Sequence, residues 1–143
     1  QGALGFYILN ELKGECMNKI IAIDFDGTLF ITDWPTIIEP NWEIINKAKT
    51  EKENGAKLIL WTCRCGKYLD DAIEACRRVG IIFDAVNENL PESIEMFDGT
   101  NSRKVFANEY WDDLSLNPTY DIFWLYKYNA PPSSEHNIEM SLS

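Results

Sequence analysis

The stretch Lys19-Ile20-Ile21-Ala22-Ile23-Asp24-Phe25-Asp26-Gly27-Thr28 decides the fold. Ile20 to Ile23 form a short apolar run rich in β-branched side chains, which predicts a strand buried on both faces. The run stops abruptly at two carboxylates and a Gly-Thr pair. Residues two apart at a strand end can project to the same side, so Asp24 and Asp26 are expected to stand together. Gly27 permits a sharp turn after them, and the exposed N–H groups of such a turn can cradle an anion.

Working outward, residues 29–40 carry Pro35 and Pro40 and read as irregular or hairpin-like. Asn41 can cap a helix with Trp42, Ile44, Ile45 and Ala48 inward, ended by Gly55. Lys57 to Thr62 reads as a second buried strand. A helix follows over Lys67 to Arg78, with Leu69, Ala72, Ile73 and Cys76 inward and Gly80 as its stop. Ile81 to Phe83 read as a third strand, 87–103 as loop, and Val105 to Trp111 as a fourth strand ending at Asp112-Asp113. Asp121 can cap a last short helix through Tyr128. Strands alternating with helices over short links imply a mainly parallel sheet flanked by helices, a three-layer α/β/α Rossmann-like arrangement.

The chain has 143 residues, room for one domain. That domain is expected over 17–128, preceded by an arm or tag-derived extension over 1–16 and followed by a tail over 129–143. Its composition, 45% hydrophobic and 25% charged, is ordinary for a globular chain. Apolar runs such as Leu58 to Trp61 fall far short of the ~20 residues a membrane helix needs. The first sixteen residues contain Glu11, Lys13 and Glu15 and do not read as a signal peptide, so a cytoplasmic protein is expected. The net charge of −10 disfavours nucleic acid, because the overall field repels phosphate backbones.

Cys63-x-Cys65 invites a metal or redox reading. The one histidine, His136, lies in the tail, so zinc would have to draw on Cys16, Cys76 or carboxylates. Free cytosolic thiols are the simpler expectation.

In an open parallel sheet the site lies beyond the carboxyl ends of the strands. Gathered there should be Asp24 and Asp26, Thr62, and Asp112 and Asp113, with Lys104 just before the fourth strand. Two carboxylates ~4 Å apart repel by about 4 kcal/mol at an effective dielectric of ~20. Such a cluster must bind protons in part or recruit cations. Oxygen ligands without a histidine or thiolate set favour Mg2+ over zinc.

Asp24-Phe25-Asp26-Gly27-Thr28 after a buried strand resembles the first signature of the haloacid dehalogenase-like superfamily. Thr62 resembles its second, Lys104 its third and Asp112-Asp113 its fourth, in order over roughly residues 17–128. The run from Ser102-Arg103-Lys104 to Asp113 is most similar to small capless members. The resemblance implies a Mg2+-dependent phosphohydrolase acting through an aspartyl-phosphate. Asp24 would be the nucleophile and Asp26 the proton donor and acceptor. Thr62 would hydrogen-bond a phosphoryl oxygen and Lys104 would neutralise charge. The metal would bind Asp24, the backbone carbonyl of Asp26, and Asp112 or Asp113.

Gly27, Thr28, Cys63 and Arg64 would line the substrate, with Lys67 and Arg103 as further helpers. Arg64 has a rival reading as a surface salt bridge. Asp26 argues for phosphoryl chemistry, since the name-giving dehalogenases lack that second acid. The intervals 29–40 and 84–103 are too short for a cap domain with its own core. The site should therefore be open, to a bulky substrate or to cover by a second copy of the chain. Leu114 stands where relatives often carry a basic residue.

The expected substrate is a phosphorylated small molecule such as a nucleotide or sugar phosphate. The rivals are a receiver-like phospho-acceptor, although receivers carry the acceptor on a later strand, and a catalytically degenerate binding module.

Overall fold

The computed structural model describes residues 18–116. The expected arm over 1–16, the helix through Tyr128 and the tail lie outside the described residues. One compact unit runs to Asp113, and a second begins at Leu114. In chain order the first unit contains β1 (Ile20–Ile23), β2 (Phe30–Asp33), β3 (Thr36–Pro40), α1 (Trp42–Glu53), β4 (Lys57–Leu60), α2 (Gly66–Arg78), β5 (Ala85–Val86), α3 (Pro91–Met96) and β6 (Glu109–Trp111).

Four strands form one parallel sheet in the order β5-β4-β1-β6, with Ile21 opposite both Leu58 and Glu109. The four residues of β1 are all buried, as a central strand requires. Ile21 and Ile23 face a core that includes Leu58, Leu60, Ile45, Ala48, Ala72 and Cys76, so α1 and α2 cover that face. Ile20, Ala22 and Ile59 face the other way, against Leu90, Val105 and Ala107. This period of two splits one apolar run between two cores.

Residues 29–40 form an antiparallel hairpin, β2 on β3, with a cis peptide bond between Trp34 and Pro35. Among the described residues no helix is long and apolar enough to cross a membrane.

Several expectations shift. Trp42 is 52% exposed, while Ile45 and Ala48 carry the contact of α1 with the core. Asn41 precedes α1 without a side-chain cap; its amide instead donates to the Thr28 carbonyl at 2.9 Å. The third strand is Ala85–Val86 and not Ile81 to Phe83. Ile81 plugs the core just after α2, and Lys52 takes the Ile82 carbonyl, so pairing with β4 starts at Asp84 N–H on Leu58 O (2.8 Å).

The fourth strand is likewise shorter than Val105 to Trp111. Asn89 accepts from Phe106 N–H at 2.7 Å, and the Tyr110 hydroxyl donates to Val105 O at 2.7 Å, which holds 105–107 out of the ladder. The loop expected over 87–103 contains α3, opened by Pro91 at its first turn.

Candidate active site

The chain leaves β1 for β4 and then β5 on one side, and returns across the sheet to β6 on the other. The reversal point lies between β1 and β6, where a crevice opens beyond the carboxyl ends of an α/β sheet. Asp24 N–H donates to Trp111 O at 2.9 Å, which sets Asp24 level with the end of β6 and the acidic pair after it.

The turn after Asp24 is built tightly. Phe25 O accepts from Leu29 and Phe30 N–H, both at 3.1 Å, and Phe25 stacks on Phe30 with ring centroids 4.9 Å apart. Gly27 has φ +77°, and a Cβ there would collide with the Asp113 carboxylate. Only glycine meets both demands. The buried Thr28 hydroxyl accepts from Asp113 N–H at 3.0 Å and ties the turn to the end of β6. Gly27 and Thr28, expected to touch substrate, are thus placed where they seat Asp113.

One carboxylate oxygen from each of Asp24, Asp112 and Asp113 lies within 4.8 Å of the others. Among the described residues this is the only such set of three among His, Cys, Asp and Glu. Asp24 is half-buried and its neighbours exposed. Burial pushes the Asp24 carboxyl up to about 6; the Phe25 N–H opposes this, and the charges of Asp112, Asp113 and Asp26 add to it. Three hard oxygens in mutual repulsion suit a divalent cation that keeps several water ligands, as Mg2+ does. The donor set therefore fits the expected metal.

Asp26 belongs to a different network. Arg64 grips it with a fork, Nε to Oδ2 at 2.9 Å and Nη2 to Oδ1 at 2.7 Å. Desolvation raises the Asp26 carboxyl, but Arg64 and the Thr32 hydroxyl outweigh it and hold the group below the ordinary carboxylate value. Arg64, expected at the substrate or in a surface ion pair, is only 1% exposed.

Thr62 follows β4 at the same end of the sheet. Its N–H donates to Asn87 Oδ1 at 2.8 Å, and its hydroxyl oxygen accepts from Arg64 N–H at 3.1 Å. The hydroxyl proton remains available to donate. Lys104 is exposed, its ammonium 5.7 Å from the centroid of the Tyr110 ring.

Lys67 pairs with Asp71 on the surface of α2. Cys63 and Cys65 are exposed free thiols, whereas burial pushes the Cys76 thiol up to about 12. The structure thus gathers Asp24, Asp112 and Asp113, and joins Asp26 to them through the turn and to Thr62 through Arg64.

Asn87, which clamps Thr62, was not anticipated. The asparagine itself is the one signal in the sequence, since that residue tolerates the left-handed region, here φ +53°, better than most.

These features define an α/β protein with a parallel four-stranded sheet and an accompanying two-stranded antiparallel sheet. A solved structure of the conserved protein coded by a locus from Bacteroides thetaiotaomicron is 32% identical to this chain. The match covers 85% of this chain and 98% of that one, with a TM-score of 0.61. The chain belongs to the family of that conserved protein. No protein-family model matches the chain, and no curated protein does.

Proposed function

We propose that the chain is a Mg2+-dependent phosphohydrolase of the haloacid dehalogenase-like type, acting on a small phosphomonoester through Asp24. The observation that carries this reading is the convergence of Asp24, Asp112 and Asp113 at the ends of two adjacent parallel strands, at the reversal point of the sheet. The order of the four signatures along the chain supports it.

Asp24, Asp112 and Asp113 would hold the metal, with the Asp26 carbonyl as a further ligand. Bound there, Mg2+ would supply positive charge against the phosphoryl oxygens and orient them.

An Asp24 oxygen attacks phosphorus, and the bond from phosphorus to the ester oxygen breaks. Asp26 gives its proton to that leaving oxygen. A water then attacks phosphorus, Asp26 takes the water's proton, and the bond to Asp24 breaks to return the free carboxylate. In the resting site the Arg64 fork favours Asp26 as carboxylate, the form that serves the second step. For the first step it must gain a proton as phosphate charge arrives beside it. Thr62 donates its hydroxyl proton to a phosphoryl oxygen. Lys104, whose ammonium stands over the Tyr110 ring, would have to turn from it toward the acids to offset charge on nucleophile and phosphate.

The hairpin at 29–40 packs on the main core through Phe30 and Ile37 and is too small to be a cap domain, which would leave the acids open to a bulky leaving group. The test is phosphate release from a panel of phosphate esters with and without Mg2+. Release that needs Mg2+ and is lost in Asp24→Asn is expected. Equal turnover by both proteins, or none by the wild type, rejects the reading. A phosphoryl-aspartate that persists for many minutes would favour the receiver-like module instead.

A further inference from the structure

Arg64 is an arginine with no exposed side-chain surface, at the centre of four elements. Its fork takes both oxygens of Asp26 in the turn after β1. Nη2 also donates to Pro35 O at 3.1 Å, at the tip of the β2–β3 hairpin, and Nη1 to Tyr68 O at 3.4 Å, in the first turn of α2. The guanidinium carbon lies 4.9 Å from the ring centroids of both Phe25 and Trp34. Its backbone N–H meets the Thr62 hydroxyl. One residue thereby indexes two of the groups assigned to chemistry, Asp26 by its side chain and Thr62 by its main chain.

Burying a guanidinium is costly, and a fully apolar residue could fill the same space. What an apolar residue cannot do is hold a carboxylate by both oxygens. A two-point fork fixes the plane of the carboxylate as well as its position, which a lysine's single ammonium cannot. The basic residues of α2 show the contrast: Lys67, Arg77 and Arg78 pair with acids one turn away on the exposed surface of the same helix.

We propose that Arg64 is a positioning residue, which fixes the plane of the Asp26 carboxylate for its proton transfers and ties the tip of the β2–β3 hairpin to it. The proposal rests on the phosphohydrolase reading. A merely structural arginine would support folding without acting through Asp26, and a double-mutant cycle separates the two.

Hydrolysis of p-nitrophenyl phosphate with Mg2+ is measured for wild type, Arg64→Lys, Asp26→Asn and the double variant, each below its own melting temperature. Misplacing a reacting group by about 1 Å costs ~10²-fold in rate. Arg64→Lys should therefore lower kcat about 10²-fold with KM changed little, and cost less than about threefold more once Asp26 is asparagine. If Arg64→Lys does not fold, Arg64→Gln, which keeps one amide donor for Asp26, carries the same comparison.

Hydrogen exchange of the hairpin amides supplies a second readout, with protection over 32–37 falling in Arg64→Lys. An equal loss of rate in both Asp26 backgrounds, or unchanged kcat in Arg64→Lys, overturns the proposal and leaves the phosphohydrolase reading standing. Wild-type protein without any turnover overturns both.

Discussion

Replacing Asp24 with asparagine should stabilise the metal-free protein at neutral pH while removing its response to Mg2+. The Asp24 carboxyl is raised from 3.8 to about 6, so the folded state holds its proton more tightly than the unfolded chain does. The group's favourable contribution is whole below pH 3.8 and is lost as pH rises through 6, leaving a penalty on the ionised form at pH 7. About two pH units at ~1.36 kcal/mol each give roughly 3 kcal/mol, which half-exposure and solvent screening cut to roughly 1.5.

In a chain of this size that difference is worth roughly 3–6 °C in Tm. Melts in EDTA at pH 7 should show Asp24→Asn above wild type by that amount. At pH 4, where most of the wild-type group is already protonated, the gap should narrow. Saturating Mg2+ should raise the wild-type Tm and leave the variant nearly unmoved. A variant no more stable than wild type at pH 7, or a gap that persists unchanged at pH 4, would refute the electrostatic reasoning.

Three further substitutions probe the scaffold of the site. Gly27→Ala must displace the Asp113 carboxylate and hold a side chain at positive φ, which costs ~1–2 kcal/mol in the backbone alone. Urea melts should show that loss and calorimetry a weakened Mg2+ affinity. Thr28→Val keeps the shape but removes the acceptor for Asp113 N–H, for a loss of ~1 kcal/mol and weaker Mg2+ binding on the same two measurements. Asn89→Ala removes the buried amide that joins Asn101, Ser102 and Phe106, and should cost about 2–3 kcal/mol in a urea melt with little change in Mg2+ affinity. Unchanged stability in that variant would mean the 105–107 segment is held out of the sheet by something else.

How much of this was legible in the sequence depends on how local each interaction is. β1 and the position of Asp24 follow from an apolar run broken by charge, and the burial of every residue from Ile20 to Ile23 bears that out. The shift of the third strand was hidden because Ile81 to Phe83 are more apolar than Ala85–Val86. Their apolarity serves the core below α2, while pairing is set by Asp84, whose carboxylate accepts from Leu58 N–H at 2.9 Å. α3 is only six residues long, too short for a period to emerge, and only Pro91 marks it.

Arg64 was hardest to read. Its flanking cysteines are exposed and its partner lies 38 positions away, so nothing adjacent announces burial. The proximity of Asp112 and Asp113 to Asp24 was readable only through topology, because strand order decides which loop ends meet.

The central claim, that Asp24 takes the phosphoryl group, is tested most directly by trapping it. Turnover of a phosphomonoester with Mg2+, quenched into borohydride, reduces an acyl phosphate to an alcohol and converts the aspartate that carried it into homoserine. Mass spectrometry of the peptide spanning β1 should find that conversion at position 24, only when ester and Mg2+ are both present. Sustained turnover with position 24 still aspartate, or conversion at position 112 or 113 instead, would contradict the account.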